Sequence, residues 1–140
     1  MKEVEILLVE DNTGDVLLTQ EALLNWDTKN RISSVGDGEE AIRYLKATAK
    51  KCISQLPDLI ILDINLPKLD GKQVLQLIRS DVDLKHLPVV IFSSSVNDKD
   101  VREAKELNAD LYLQKPAELQ LYFDAVYTIE QFWTSYKKAI

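Results

Sequence analysis

Five residue positions in this chain carry side chains suited to phosphoryl chemistry. Glu10 and Asp11 stand together after an apolar run. Asp63, Ser93 and Lys115 each close a later apolar run of similar kind. Three carboxylates brought close together repel one another unless something compensates. A hard divalent cation with oxygen ligands does so, and Mg²⁺ typically takes a few carboxylates plus water and phosphate oxygens. A carboxylate is also a nucleophile that forms an aspartyl-phosphate. The incoming phosphoryl group spreads charge over its equatorial oxygens, and that charge needs neutralising. A metal at Glu10 and Asp11, the Lys115 ammonium and the Ser93 hydroxyl supply those functions around Asp63.

Such residues act together only if the fold gathers them. Val4–Val9, Leu59–Leu62, Val89–Phe92 and Leu111–Gln114 are short, largely apolar runs, the pattern of strands covered on both faces. Arg31–Val35 is more polar and is expected at a sheet edge. Between them the period is helical: Asp15–Leu24, Glu39–Thr48, Gly71–Arg79, Asp98–Leu107 and about Glu118 to Lys138. Ala49 to Asp58 reads as a solvated loop. Strictly alternating strands and helices imply an α/β fold with a parallel sheet and helices on both faces. In such sheets ligands bind beyond the carboxyl ends of the strands. The candidate residues fall at those ends.

Composition narrows the alternatives. The chain has 140 residues, 46% apolar and 29% charged, with a formal net charge of −6. That is the size of one domain, and residues 1–140 are expected to form a single unit. An acidic balance argues against direct nucleic-acid binding. One cysteine, Cys52, excludes an internal disulfide, and one histidine, His86, excludes a multi-His metal centre within the chain. No apolar run has the length of a membrane span. A cytoplasmic location is expected, with no membrane partner and no organic cofactor.

Taken in order, these motifs resemble the receiver domains of two-component response regulators. The matching text is Leu7-Leu8-Val9-Glu10-Asp11-Asn12, Leu62-Asp63-Ile64-Asn65-Leu66-Pro67 with Asp70-Gly71, then Ser93, and Tyr112 ahead of Lys115-Pro116. Ser93 follows Asp63 by 30 residues and Lys115 follows by 22 more. The resemblance implies a flavodoxin-like (βα)5 sheet of order 2-1-3-4-5. It implies Asp63 as phosphoacceptor and Mg²⁺ held by Glu10, Asp11, Asp63 and the backbone carbonyl of Asn65. Lys115 becomes the phosphoryl-binding ammonium, Ser93 the switch hydroxyl and Tyr112 its coupled aromatic rotor. A cis peptide bond is expected at Lys115-Pro116. The implied partners are a sensor histidine kinase and a downstream protein target or relay, and the domain is a phosphoacceptor, not an enzyme acting on other substrates. A narrower resemblance is to single-domain regulators paired with phytochrome-type kinases. It rests on Glu10-Asp11-Asn12-x-Gly14-Asp15-Val16, Asn65-Leu66-Pro67-Lys68 and Ile129-Glu130-Gln131-Phe132-Trp133.

Two rivals share the fold class. An Asp-nucleophile phosphohydrolase needs a second acid two residues after the nucleophile, where this chain has Asn65. A flavodoxin-like FMN carrier needs a Ser/Thr/Gly-rich loop after the first strand, where this chain has Glu10 and Asp11. The last helix adds a separate expectation. Leu119, Tyr122, Val126, Ile129, Trp133 and Tyr136 form one apolar stripe, while Leu121, Phe123, Tyr127 and Phe132 lie off it. A helix apolar on more than one face has a second surface to meet. A homodimer contact through this helix is therefore expected.

Overall fold

The computed structural model describes residues 3–95 and 97–139. Five strands and five helices alternate: β1 Val4–Val9, α1 Thr13–Leu24, β2 Asn30–Val35, α2 Gly38–Lys51, β3 Leu59–Leu62, α3 Gly71–Ser80, β4 Val89–Ser93, α4 Asp98–Glu106, β5 Leu111–Gln114 and α5 Leu119–Ala139. All strand pairings are parallel, in the order β2-β1-β3-β4-β5. This is the flavodoxin-like arrangement expected from the sequence.

The apolar runs are continuous because each strand feeds two cores. Leu7 and Val9, Ile60 and Leu62, and Val89 and Ile91 face one core with residues of α2, α3 and α4. Ile6 and Leu8, Leu59 and Ile61, and Val90 and Phe92 face the other, beneath α1 and α5. The period-2 alternation of a strand thus distributes one run over both helical layers. Each large aliphatic side chain so buried contributes roughly 1.5–3 kcal/mol. The edge strands, β2 and β5, are less buried, in keeping with the polar residues of Asn30–Val35.

Capping sets where the helices begin. The Asn12 side chain accepts from the Asp15 N–H, so α1 starts at Thr13, earlier than periodicity alone indicates. Asp37 caps α2 in the same way, and Asp70 with Gln73 forms a capping box on α3. The sequence predicts that α2 ends at Thr48. It runs to Lys51 instead, followed by a 3₁₀ turn at Ile53–Gln55. Ala49 favours helix, and Lys50 and Lys51 complement the negative end of the helix dipole. What read as solvated loop is therefore partly a helix end.

Two packing details bear on the candidate site. Gly71 opens α3 against the backbone of Asp63: a Cβ there would lie 2.1 Å from the Asp63 carbonyl oxygen. Its N–H donates to the Ile64 carbonyl at 2.8 Å. A side chain at position 71 would push the Asp63 loop out of place. In α5, Tyr122, Val126, Ile129 and Trp133 are buried, but Leu119 is 55% exposed. Leu119 lies in the first turn, so the buried stripe begins one turn later than its spacing implied.

Candidate phosphoryl and metal site

The carboxyl ends of β1, β3, β4 and β5 hold their polar residues through continued sheet hydrogen bonds. Glu10 N–H donates to Val35 O at 3.0 Å, Asp63 N–H to Val9 O at 3.1 Å and Lys115 N–H to Ser93 O at 2.8 Å. The backbone is thus fixed independently of the side-chain contacts. Glu10, Asp63, Ser93 and Lys115 are all buried, whereas Asp11 is exposed.

Lys115 is the hub. Its Nζ donates to a Glu10 carboxylate oxygen, to Asp15 Oδ2 at 2.9 Å and to Asp63 Oδ2 at 3.1 Å. The other Glu10 oxygen accepts the Asn12 N–H at 3.1 Å, and Asp63 Oδ1 accepts the Asn65 N–H at 3.3 Å. Three carboxylates meet one ammonium, and Asp11 lies beside two of them. Burial, reinforced by the negative charge of Asp63, pushes the Glu10 carboxyl up to about 7 against the opposing pull of Lys115. The Lys115 ammonium is shifted upward as well, which for a cation favours the charged form. Burial alone would lower its pKa, but hydrogen bonds to Glu10 and Asp15 and the charges of Asp63 and Glu10 raise it. Lys115 stays charged across the physiological range.

Glu10, Asp11 and Asp63 each offer an oxygen within 4.8 Å of the others. An all-oxygen set with surplus negative charge suits a hard divalent cation. The exposed Asp11 leaves one side open to water and to an incoming phosphoryl oxygen. The donor set therefore fits the Mg²⁺ expected from the sequence.

Ser93 and Tyr112 are joined through Ser95. Ser93 Oγ accepts the Ser95 N–H at 3.3 Å, and the Tyr112 hydroxyl donates to the Ser95 carbonyl at 3.1 Å. Ser95 also donates through Oγ to Asp100 Oδ2 at 2.7 Å, and Asp100 pairs with Lys72 at 2.8 Å. The tie between hydroxyl and ring thus runs through Ser95 to α4 and α3. The side-chain hydrogen bonds of Lys72 and Ser95 hold the Asp100 carboxyl below its ordinary value.

Two sequence expectations change. The Lys115–Pro116 bond is trans, and no cis peptide bond occurs among the described residues. The trans form is favoured by about 0.5–1 kcal/mol at an X–Pro bond. Lys115 reaches Glu10, Asp15 and Asp63 from that geometry, so the site does not require the cis form. The second change is Asp15, which the sequence places in a helix and in the motif after the first strand but not in the site. One helical turn beyond Asp11, it points back toward the strand ends. That four-residue spacing from the acidic pair was the available signal.

A parallel sheet of this order, with an acidic cluster, a lysine and a hydroxyl at its carboxyl edge, defines the receiver class. Residues 6–127 match the family model described as response regulator receiver domain, and the chain belongs to that family. It is 41% identical over 128 residues to response regulator Rcp1 of Synechocystis sp., covering 91% of this chain and 87% of that protein. Among solved structures it resembles the phosphorylated cyanobacterial phytochrome response regulator RcpA, with TM-score 0.88, 43% identity and 96% of each chain covered. It also resembles the Mn²⁺-bound form of Rcp1, with TM-score 0.85, 40% identity and coverage of 93% and 94%. Neither the phosphohydrolase nor the FMN carrier is favoured by these likenesses.

Proposed function

We propose that this protein accepts a phosphoryl group on Asp63 from the phosphohistidine of a sensor kinase and signals through altered protein contacts. An Asp63 carboxylate oxygen attacks phosphorus, the P–N bond breaks and the imidazole leaves, taking up a proton. Hydrolysis of the acyl phosphate later returns the carboxylate and inorganic phosphate. Glu10, Asp11, Asp63 and the Asn65 carbonyl would hold Mg²⁺, which neutralises charge on the phosphoryl oxygens. Lys115 binds a second phosphoryl oxygen, and Ser93 offers its hydroxyl to a third. The observation that carries the reading is Lys115 reaching both Asp63 and Glu10, with Asp11 beside them.

The same reading supplies the switch. When Ser93 Oγ turns to the phosphoryl group it releases the Ser95 N–H. The Ser95 carbonyl that holds Tyr112 then shifts, and α4 follows through Asp100. This is a two-state element biased by new charge-assisted bonds.

The partner kinase is of phytochrome type, a reading supported by the likeness to RcpA and Rcp1. Among the described residues no helix is long and apolar enough to cross a membrane, in keeping with a cytoplasmic signalling role. Residues 1–140 act as one receiver unit, with output to a protein target or relay. On α5, Leu121 and Tyr127 are about half exposed, at 50% and 53%, and form the centre of the homodimer surface. Sedimentation at rising concentration checks this; a monomer throughout, with and without a phosphoryl mimic, removes it.

The central test is incubation with a small phosphodonor and Mg²⁺. Mass spectrometry should find one acid-stable, base-labile phosphoryl group on the wild type, absent after EDTA and absent in Asp63→Asn. An EDTA-insensitive label in Asp63→Asn would overturn the reading.

A further inference from the structure

We infer that Asp15 is a positioning residue for Lys115: it occupies one N–H of the ammonium in the resting protein and yields that N–H to the phosphoryl group on Asp63. The inference rests on the reading of Asp63 as phosphoacceptor and adds to it the partner that is displaced. A lysine ammonium has three N–H donors. Glu10, Asp15 and Asp63 take all of them. A phosphoryl group on Asp63 adds about two negative charges and further acceptor oxygens, which compete with Glu10 and Asp15 for these donors.

Exposure decides which of them yields. The side chains of Glu10 and Asp63 are 3% and 7% exposed, and that of Asp15 is 28% exposed. A buried carboxylate stripped of its cation bears an uncompensated desolvation cost. Asp63 is in any case bonded to the phosphoryl group. Asp15 is the most exposed of the three and has water within reach. It also lies in the first turn of α1, where the positive end of the helix dipole stabilises a free carboxylate. Its backbone is independently anchored: the N–H donates to Asn12 Oδ1 at 3.0 Å and the carbonyl accepts from the Tyr122 hydroxyl at 3.3 Å. Only the side chain has to swing. The resting contact keeps Lys115 extended toward Asp63, and its loss is the cost set against phosphoryl binding.

Beryllofluoride, a phosphoryl mimic, tests this by ¹⁹F NMR at saturating Mg²⁺ without any turnover. Asp15→Asn should tighten beryllofluoride binding about 3- to 10-fold, because a competing charge is gone. Asp15→Glu should restore affinity to within about twofold of wild type, since the competitor returns. Mg²⁺ alone should bind Asp15→Asn about 2- to 5-fold more weakly, because the surplus negative charge falls. A general loosening of the site cannot move the two affinities in opposite directions. Unchanged or weaker beryllofluoride binding by Asp15→Asn, alongside a wild type that binds, overturns the inference and leaves the Asp63 reading intact. A wild type that fails to bind at saturating Mg²⁺ overturns both. Asp15→Ser serves as the second variant under the same criteria. If neither it nor Asp15→Asn folds, Asp15 is a structural partner and the inference is overturned.

Discussion

The two ends of the sheet both carry clustered charge, half-buried to exposed at the amino end and largely buried at the carboxyl end, and they use it in opposite ways. At the amino end Arg79 faces Asp110 at 2.9 Å. Its guanidinium also donates to the carbonyls of Asn108, Lys85 and Leu87, and Asp110 accepts the Val89 N–H at 2.8 Å. One cation meets one anion, and the remaining donors meet backbone. This cluster ties the last turn of α3 to the start of β4 and to the turn before β5. Asn108 sits there at φ 64°, a left-handed conformation that Asn tolerates well. At the carboxyl end, three carboxylates share one lysine and a fourth, Asp11, stands beside them. A balanced cluster is complete as it stands; an unbalanced one stores repulsion that a ligand relieves. Charge balance therefore separates the staple from the site.

The largest effect expected from this contrast is at the staple. Arg79→Ala should cost roughly 2–4 kcal/mol in urea denaturation, because carbonyls and Asp110 lose their donors together. A loss below about 1 kcal/mol would mean that water replaces the guanidinium and that the staple is not structural. At the site the sign should reverse. Glu10→Gln should stabilise the metal-free protein at pH 7–8 by about 1–2 kcal/mol while weakening Mg²⁺ binding. If it destabilises instead, the cluster is not strained and the contrast fails.

The pH dependence sharpens the same point. Glu10 titrates near 7 in the folded protein, above its ordinary value of 4.5. The folded state therefore holds this proton more tightly than the unfolded chain. Its stabilising contribution is complete below about 4.5 and is lost as pH rises through 7. Metal-free stability should fall across that window, by at most about 1.4 kcal/mol per pH unit from this group. Saturating Mg²⁺ should remove the fall, and Glu10→Gln should lack it. Conversely, Mg²⁺ affinity should weaken below pH 7, where the proton competes for Glu10. Titration calorimetry at pH 6 and 8 reads this directly.

The smallest effect concerns the contact that links the site to α5. The Tyr122 hydroxyl is 2.8 Å from Thr19 Oγ1 and packs edge-on to Phe92, with ring centroids 5.1 Å apart. Tyr122→Phe should cost about 1 kcal/mol, the value of one buried hydrogen bond. Burial pushes the Tyr122 hydroxyl up to about 12. Its contribution is present below pH 10 and is lost as pH rises toward 12. The variant should therefore lose less stability than wild type over that alkaline window.

The site was more legible than the staple for a physical reason. Glu10, Asp11, Asp63, Ser93 and Lys115 interrupt or close apolar runs, so their positions stand out against the strand pattern. Arg79 lies at the polar end of a helix, where a charge reads as solvated surface. Its partners, Asn108 and Asp110, are 29 and 31 residues away. Helix limits were legible to within a turn, with the largest shifts where Asn12 starts α1 two residues early and the Ala-Lys end carries α2 three residues further. Leu119 was misassigned because periodicity reports a face but not where the sheet beneath it ends.

By itself, the sequence determined the alternation of strands and helices and the order of chemically active residues, since both follow from local period and side-chain type. Only the tertiary structure decided that Asp15 and Lys115, 100 residues apart, share a hydrogen bond, and that Ser95 joins Ser93 to Tyr112. It also decided for a trans bond at Pro116. Contacts between chain-distant groups depend on strand order, helix tilt and burial. Those are properties of the packed molecule and leave no period in the chain.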